Sequence, residues 1–310
     1  MTKLDRRTFV LATAASAAAP TALGAKECPT VGMNWITMSL EARNLAYNNV
    51  EQVGPENARK KTEDWAAASK TLREQRPNHL DLAYGNGERN KWDLYPANDP
   101  KAPCFVHIHG GYWQRGSKEI FACLSEGPLA RGWSAALCGY TLAPEATLTQ
   151  ITNELKGAFD WLNAKAGEHG IQGPIIVTGW SAGGHLTSFI LDHPKVVAGL
   201  SISGVFDLGA LRDSPHVNDK VKLSEEEIRN LSPMRRPIVK KPLGIAYGTG
   251  ELPAMIASSR DYHAYRSQGH VPGDLIPIAN TNHFTILDEL RQPNSTLTRA
   301  VIAMAEYQIA

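Results

Sequence analysis

The feature that most constrains the fold is a serine between an apolar run and a helical pattern. Residues 174–191 read PIIVTGWSAGGHLTSFIL, in which Gly179, Ser181 and Gly183 satisfy the G-x-S-x-G spacing. This order predicts a strand, a tight turn and a helix. In such a turn the serine hydroxyl is lifted clear of the sheet, and side chains at the two glycines would collide with neighbouring backbone. The pattern predicts a nucleophilic serine, and the simpler alternative is a serine that caps a helix.

The elements around this serine alternate between strands and helices. The predicted strands are 79–85, 91–96, 102–111, 134–144, 174–180, 196–204, 242–248 and 273–279, and the predicted helical stretches are 118–131, 147–166, 182–192, 253–268, 285–291 and 295–308. Such alternation implies right-handed crossovers and a mostly parallel sheet with helices on both faces. The first two strands, joined by the turn GNGE, predict a hairpin. We therefore predict one α/β domain at 79–310, with a polar insertion at 208–236.

The segment 26–78 precedes this domain and belongs to no crossover. Its helical patterning extends over residues 37–76 and stops at Pro77. We predict that these helices cover the carboxyl ends of the strands, where the serine stands, and act as a lid. The alternative is that they pack on the outside of the sheet and only stabilise it.

A second glycine pair follows another apolar run, where the chain reads HGGYW at 109–113. Backbone N–H groups must come close to an oxygen on which negative charge develops, and glycine permits that approach. We predict that Gly110 and Gly111, together with the N–H of Ala182, form an oxyanion hole.

The residues beside these two motifs are candidates for the substrate pocket. Tyr112 and Trp113 follow the glycine pair, and Trp180 precedes the serine. Tyr112 and Trp113 are predicted either as pocket walls or as packing residues. His109 is predicted to orient the loop by hydrogen bonding.

A nucleophilic serine needs a base, and the base needs a carboxylate that orients it. In sheets of this kind the chain order is serine, acid, histidine. His283 lies after the last predicted strand, in IANTNHFTIL, and is the candidate base. Glu251, directly after the preceding strand in AYGTGELP, is the candidate acid. Asp207, in SGVFDL, is the alternative acid, and its simpler role is a loop or helix cap.

The first 25 residues predict an export signal. A basic start with the pair Arg6 and Arg7 precedes an uncharged, alanine-rich stretch from Thr8 to Ala25. The sequence DRRTFV resembles the twin-arginine motif, although Asp5 and Leu11 depart from it. We predict export to the periplasm with cleavage near residue 25, the alternative being an alanine-rich helix. No stretch has the ~18 consecutive apolar residues of a membrane span.

Composition limits the partners and the redox chemistry. The chain has 32 basic and 31 acidic residues and a net charge of +1, whereas nucleic-acid binding needs a clustered basic excess. We therefore predict no nucleic-acid partner. The four cysteines, Cys28, Cys104, Cys123 and Cys138, lack metal-site spacing. We predict mostly free, buried thiols, and disulfides are the alternative if the chain is exported.

The segments HGGYWQRGSK, GYTLAPEATL, GWSAGGHL, SGVFDL and TNHFTILDEL resemble the α/β-hydrolase superfamily. Within it they are most similar to the branch of the kynurenine formamidases (arylformamidases) and the hormone-sensitive-lipase-like esterases. They follow the arylformamidase order, and the resemblance covers residues 79–310. It implies an α/β-hydrolase fold, a nucleophile at Ser181, a base at His283, an acid at Glu251, and no metal or organic cofactor.

Three features depart from this resemblance. Glu251 stands where the family often has aspartate, and Trp180 stands where histidine is frequent. Formylkynurenine arises inside cells, so an exported relative would meet a different substrate. The predicted function is serine-dependent hydrolysis of a small-molecule ester or N-formyl aryl amide. The alternative is a catalytically silent binding module on the same fold.

Overall fold

A mostly parallel sheet of eight strands organises residues 35–306, the part of the chain that the computed structural model describes. The predicted export signal and Cys28 lie outside the described residues. The strands are β1 (Leu82–Ala83), β2 (Lys91–Tyr95), β3 (Cys104–Ile108), β4 (Ser134–Cys138), β5 (Ile175–Trp180), β6 (Val196–Ile202), β7 (Leu243–Gly248) and β8 (Leu275–Ile278).

The strand order is β1-β2-β4-β3-β5-β6-β7-β8. The predicted hairpin is present, because β1 pairs antiparallel with β2 and places Leu82 opposite Trp92. β2 also runs antiparallel to β4, whereas β3 to β8 pair in parallel. The carboxyl ends of the parallel strands therefore share one edge, where ligands of such sheets bind. The predicted α/β class is confirmed.

Helices cover both faces of this sheet. The α-helices are α1 (Leu40–Ala46), α2 (Asn49–Val53), α3 (Pro55–Gln75), α4 (Lys118–Phe121), α5 (Glu126–Ala130), α6 (Leu148–Lys165), α7 (Ala182–Ile190), α8 (Pro215–Val221), α9 (Glu225–Leu231), α10 (Pro253–Ser267) and α11 (Thr296–Glu306). Short 3-10 helices occupy Trp35–Thr37, Pro77–His79, Ala122–Ser125, Ala166–His169, Leu208–Leu211, Pro233–Arg235 and Thr285–Arg291.

Several predicted elements differ from the structure. The strand expected at 79–85 is reduced to Leu82–Ala83, and the strand expected at 102–111 is reduced to Cys104–Ile108. The continuous helix expected at 118–131 is broken into α4, a 3-10 turn and α5. Pro128 lacks the N–H that would bond back along an unbroken helix. The strand expected at 134–144 is shorter and ends at Cys138, and the following Gly139 lies close to the carbonyl oxygen of Arg89.

The central strands are buried on both faces, which explains why they read as continuous apolar runs. Along β5, Ile175 and Val177 pack in one hydrophobic cluster and Ile176 packs in the other, on the opposite face. Cys104, Cys123 and Cys138 are buried and free, as predicted. Among residues 35–306, no helix is both long enough and apolar enough to cross a membrane.

The predicted insertion at 208–236 forms two short helices, α8 and α9. Ser224 and Glu227 make a capping box at the start of α9. The other carboxylate oxygen of Glu227 accepts a hydrogen bond of 2.8 Å from the Thr149 N–H, at the start of α6. The insertion is therefore anchored to the helix layer of the sheet.

Candidate active site

Ser181 stands in a strained turn between β5 and α7. Its backbone has φ 57° and ψ −119°, a conformation that non-glycine residues adopt rarely. The Ser181 N–H donates to the carbonyl oxygen of Ile202 at 2.9 Å, which ties the turn to the next strand. A side chain at Gly183 would overlap the carbonyl oxygen of Ile108, and one at Gly179 would overlap that of Gly183. The two glycines thus let β3, the turn and α7 approach closely.

The loop after β3 lies directly against this turn. A Cβ atom at Gly110 would come within 2.5 Å of the Trp180 carbonyl oxygen and 3.1 Å of the Ser181 Cβ atom. Gly111 has φ 109°, which side chains other than that of glycine rarely allow. Ala182 is the first residue of α7, so its N–H is one of those that a helix start leaves without an intrahelical partner. Gly110 and Ala182 therefore lie next to Ser181, and Gly111 lines the same cavity.

His109 holds the loop after β3 in place. Its Nδ1 atom lies 2.9 Å from the Gly110 carbonyl oxygen, and its ring stacks on Tyr140 at a centroid distance of 4.3 Å. The Tyr140 hydroxyl donates to the carbonyl oxygen of His109 at 2.9 Å. Complete burial lowers the pKa of His109 to about 4, so the ring stays neutral near neutral pH. These contacts fit the predicted orienting role.

The histidine and the carboxylate come from the ends of two neighbouring strands. His283 follows β8, Glu251 follows β7, and both side chains are buried. The Nδ1 atom of His283 lies 3.0 Å from Oε2 of Glu251. The indole N–H of Trp180 donates to the His283 carbonyl oxygen at 2.7 Å, which links the histidine loop to the serine turn.

The second carboxylate oxygen of Glu251 is held by two donors. The Ser203 hydroxyl and the Gly248 N–H each donate to Oε1 at 2.6 Å. Ser203 follows β6, is fully buried and has φ 50°. Sequence reasoning did not select Ser203. The available signal was its position, since it is a polar residue directly after an apolar strand at the edge that holds the site.

Asp207 has the simpler role that was considered for it. Its carboxylate accepts from the Gly209 N–H at 3.0 Å, which caps a 3-10 turn, and it pairs with Arg235 at 2.9 Å. His185, in α7, bonds through Nε2 to the Leu231 carbonyl oxygen at 2.9 Å. The geometry therefore pairs His283 with Glu251.

A cavity of about 540 Å³ opens over Ser181 and His283. Five aromatic side chains line it, those of Trp65, Tyr112, Phe121, Trp180 and Phe284. The Trp65 ring lies 5.6 Å from the Phe121 ring and 6.0 Å from the Trp180 ring, between centroids.

Trp113, a candidate wall of this pocket, is a packing residue. Its fully buried ring makes an edge contact with His185 at 5.0 Å between centroids, and it does not contribute to the cavity lining. Tyr112 and Trp113 have φ values of 50° and 56°. This double left-handed turn sends the tryptophan into the core while the tyrosine faces the cavity.

The N-terminal helices supply one side of the same cavity. Asn49 and Val50 of α2 and Ala58, Thr62 and Trp65 of α3 all line it. The α2 and α3 helices, residues Asn49–Gln75, are called the covering segment below. Its position over Ser181 is the one that the lid prediction requires.

Within residues 35–306, no group of three or more His, Cys, Asp or Glu side chains is placed to hold a metal ion.

Comparisons with known proteins relate this chain to hydrolases. Residues 93–193 match the BD-FAE family. The kynurenine formamidase of Danio rerio is 24% identical over 241 residues, which cover 73% of this chain and 81% of that protein. A probable carboxylic ester hydrolase of Mycobacterium tuberculosis is 31% identical over 157 residues, which cover 44% of this chain and 36% of that protein.

A solved structure agrees over a larger share of the chain. A provisionally assigned thioesterase from a Silicibacter species is 29% identical, has a TM-score of 0.72, and covers 84% of this chain and 98% of its own. These proteins are named as a formamidase, a carboxylic ester hydrolase and a thioesterase, which supports a hydrolase activity. The fold is that of an α/β-hydrolase, and the comparisons support the branch that contains the arylformamidases and the hormone-sensitive-lipase-like esterases.

Proposed function

We propose that the protein is a serine hydrolase that cleaves a small carboxylic ester or an N-formyl aryl amide through an acyl-enzyme on Ser181. The observation that carries the proposal is the buried His283–Glu251 pair, 3.0 Å between Nδ1 and Oε2, beside a cavity that Ser181 also lines. A buried carboxylate at Nδ1 keeps the proton on that nitrogen. The Nε2 atom of His283 is then free to accept a proton from the serine.

The chemistry follows from these positions. The Ser181 oxygen forms a bond to the substrate carbonyl carbon while its proton passes to Nε2 of His283. The backbone N–H groups of Gly110, Gly111 and Ala182 stabilise the oxyanion. When the bond to the leaving group breaks, His283 gives its proton to the departing oxygen or nitrogen. Water then repeats the sequence on the acyl-enzyme and releases the carboxylic acid.

The substrate class rests on the cavity and on the relatives. Flat aromatic walls favour a ligand with an aromatic or other apolar group, and the matched relatives are named for formamides and carboxylic esters. The alternative, a silent binding module, is disfavoured because the serine turn, the histidine–carboxylate pair and both glycine loops are intact. Export to the periplasm is a separate proposal, supported by the first 25 residues. Replacing Arg6 and Arg7 by lysines should leave the protein in the cytoplasmic fraction.

The decisive experiment compares two buried serines at the same helix. Ser181→Ala removes the attacking oxygen and should abolish turnover of 4-nitrophenyl esters and of N-formylkynurenine with an unchanged melting temperature. Ser188→Ala, in α7, removes a hydroxyl that donates to the Gly184 carbonyl oxygen at 3.1 Å and should keep activity. A sulfonyl fluoride should label the wild type and Ser188→Ala but not Ser181→Ala. Turnover by Ser181→Ala within tenfold of the wild type would refute the proposal.

A further inference from the structure

Asn49, in the covering segment, is a buried polar residue of the cavity wall. It lines the cavity with Ser181 and is 3% exposed. Its amide nitrogen Nδ2 donates to the Tyr112 hydroxyl at 3.4 Å. Its amide oxygen Oδ1 is buried and has no hydrogen-bond partner within the protein. A buried acceptor without a partner costs about 1–3 kcal/mol, so its presence needs an explanation.

The orientation of this amide is fixed by its neighbour. The Tyr112 hydroxyl has a single hydrogen, and it donates that hydrogen to the Tyr47 carbonyl oxygen at 2.6 Å. Burial raises the pKa of Tyr112, so the hydroxyl keeps its proton. The hydroxyl can therefore only accept from Asn49, which turns Nδ2 toward Tyr112. The reversed amide would place two acceptor oxygens side by side, with no hydrogen between them.

We propose that Oδ1 of Asn49 is the acceptor for the N–H of an N-acyl aryl amide and selects such amides over the corresponding esters. This inference rests on the proposed serine hydrolase function and adds the substrate class. An amide substrate carries an N–H on the side of its leaving group, whereas an ester carries only an oxygen there. A bound amide supplies the hydrogen-bond donor that Oδ1 of Asn49 lacks within the protein. A bound ester leaves this oxygen without a partner.

The covering segment then takes part in the choice of reaction. Ser181, His283 and Glu251 serve amides and esters alike, because both substrates form a tetrahedral intermediate and then the same acyl-enzyme. Asn49 comes from α2, and its orientation depends on Tyr112 in the oxyanion loop. The hydrogen bond between Asn49 and Tyr112 therefore holds the acceptor oxygen Oδ1 in its position.

The test uses two probes that share their acyl and aryl groups, 4-nitroformanilide and 4-nitrophenyl formate. Asn49→Leu, which keeps the side-chain volume and removes the acceptor, should lower the ratio of kcat/KM for amide over ester by about tenfold. N-methyl-4-nitroformanilide, an amide without an N–H, should respond to Asn49→Leu as the ester does.

A matched control comes from the next helix. Asn57, in α3, is exposed and bonds to the Val53 carbonyl oxygen at 2.8 Å, outside this cavity. Asn57→Leu should leave the ratio unchanged. If Asn49→Leu does not fold, Asn49→Ala gives the same comparison without a longer side chain.

The outcomes separate the two proposals. Loss of both activities in Ser181→Ala, together with an amide-to-ester ratio that is unchanged in Asn49→Leu or Asn49→Ala, would overturn the role of Asn49 and leave the serine hydrolase standing. Persistence of both activities in Ser181→Ala would overturn the serine hydrolase itself. An equal loss on the N-methyl amide would also refute recognition of the N–H.

Discussion

The loops at the carboxyl ends of the strands and the covering segment meet across one cavity, and they are built differently. The strand-end loops are held by backbone geometry. Ser181 has φ 57°, and its N–H bonds to the adjacent strand at Ile202. Gly110 and Gly183 allow backbone contacts that any side chain would block. Such contacts leave little freedom for the reacting groups.

The covering segment is held by side chains that reach distant parts of the chain. Gln52 donates to the Gly250 carbonyl oxygen at 2.9 Å, next to Glu251. Lys61 and the indole N–H of Trp65 both bond to the carboxylate of Asp288, at 2.8 and 3.0 Å. Individual contacts of this kind contribute little each and can change without moving the sheet. From this difference we expect the strand-end loops to carry the chemistry and the covering segment to contribute to the choice of substrate.

The largest expected effect comes from the carboxylate on the strand-end side. Glu251→Gln should lower kcat by about 10²–10⁴-fold, because a neutral amide stabilises the imidazolium of His283 poorly and can select the wrong tautomer. Asp207→Asn should leave kcat within about threefold and lower the melting temperature slightly, since Asp207 caps a turn and pairs with Arg235. Steady-state kinetics with both variants decides between the two acids.

The opposite ranking would break this assignment. If Asp207→Asn lowers kcat more than Glu251→Gln while both proteins keep the melting temperature of the wild type, the orienting carboxylate is Asp207.

The backbone character of the strand-end loops predicts a large effect on stability. Gly183→Ala should lower the free energy of unfolding by several kcal/mol, because the new methyl group would overlap the Ile108 carbonyl oxygen. Gly157→Ala is the matched control, since Gly157 is an exposed residue of α6 with no atom within 4 Å of the added Cβ. It should stabilise by about 0.5–1 kcal/mol. Urea titration of both variants measures the difference, and equal destabilisation would contradict it.

The contrast between loops held by backbone geometry and helices held by distant side chains also explains which features the sequence could predict. The turn at Ser181, the hairpin of β1 and β2 and the parallel strands have local signatures, because glycine spacing and apolar runs are dictated by nearby backbone. Ser203 and Asn49 have no such signature. Their importance depends on Glu251 and Tyr112, which lie 48 and 63 residues away in the chain. Only the folded arrangement brings these partners together.

Buried histidines should make the strand-end side sensitive to acid. Burial lowers the pKa of His107 to about 3 and that of His109 and His185 to about 4, from an ordinary 6.5. The unfolded chain binds protons at these sites below pH 6.5 and the folded chain does not. Stability is therefore full above about pH 6.5 and falls as the pH drops toward 4, by about 1.4 kcal/mol per pH unit for each histidine.

A single substitution tests this dependence. The His185 ring bonds to the Leu231 carbonyl oxygen, and a glutamine amide can donate to the same oxygen. His185→Gln should reduce the slope of unfolding free energy against pH between 4 and 6.5 by one proton. The covering segment contains no histidine, so hydrogen exchange at pH 5 should rise first around β3 and α7. An unchanged slope in the variant would show that His185 titrates normally.

The smallest expected effect concerns the wall that the covering segment adds to the cavity. Trp65 and Leu72 are both buried residues of α3, but only Trp65 lines the cavity. Trp65→Leu and Leu72→Ala should both lower the melting temperature, because each removes core volume. Only Trp65→Leu should also change the ranking of substrates, because it enlarges the space beside Phe121 and Trp180. We expect the ratio of kcat/KM for bulky esters to kcat/KM for small esters to rise by about tenfold. A panel of 4-nitrophenyl esters of increasing acyl length, extended by esters of larger alcohols, measures that ranking at a temperature where both variants are folded. If the two variants lose activity in parallel and keep the wild-type ranking, the covering segment is a scaffold and the strand-end loops alone select the substrate.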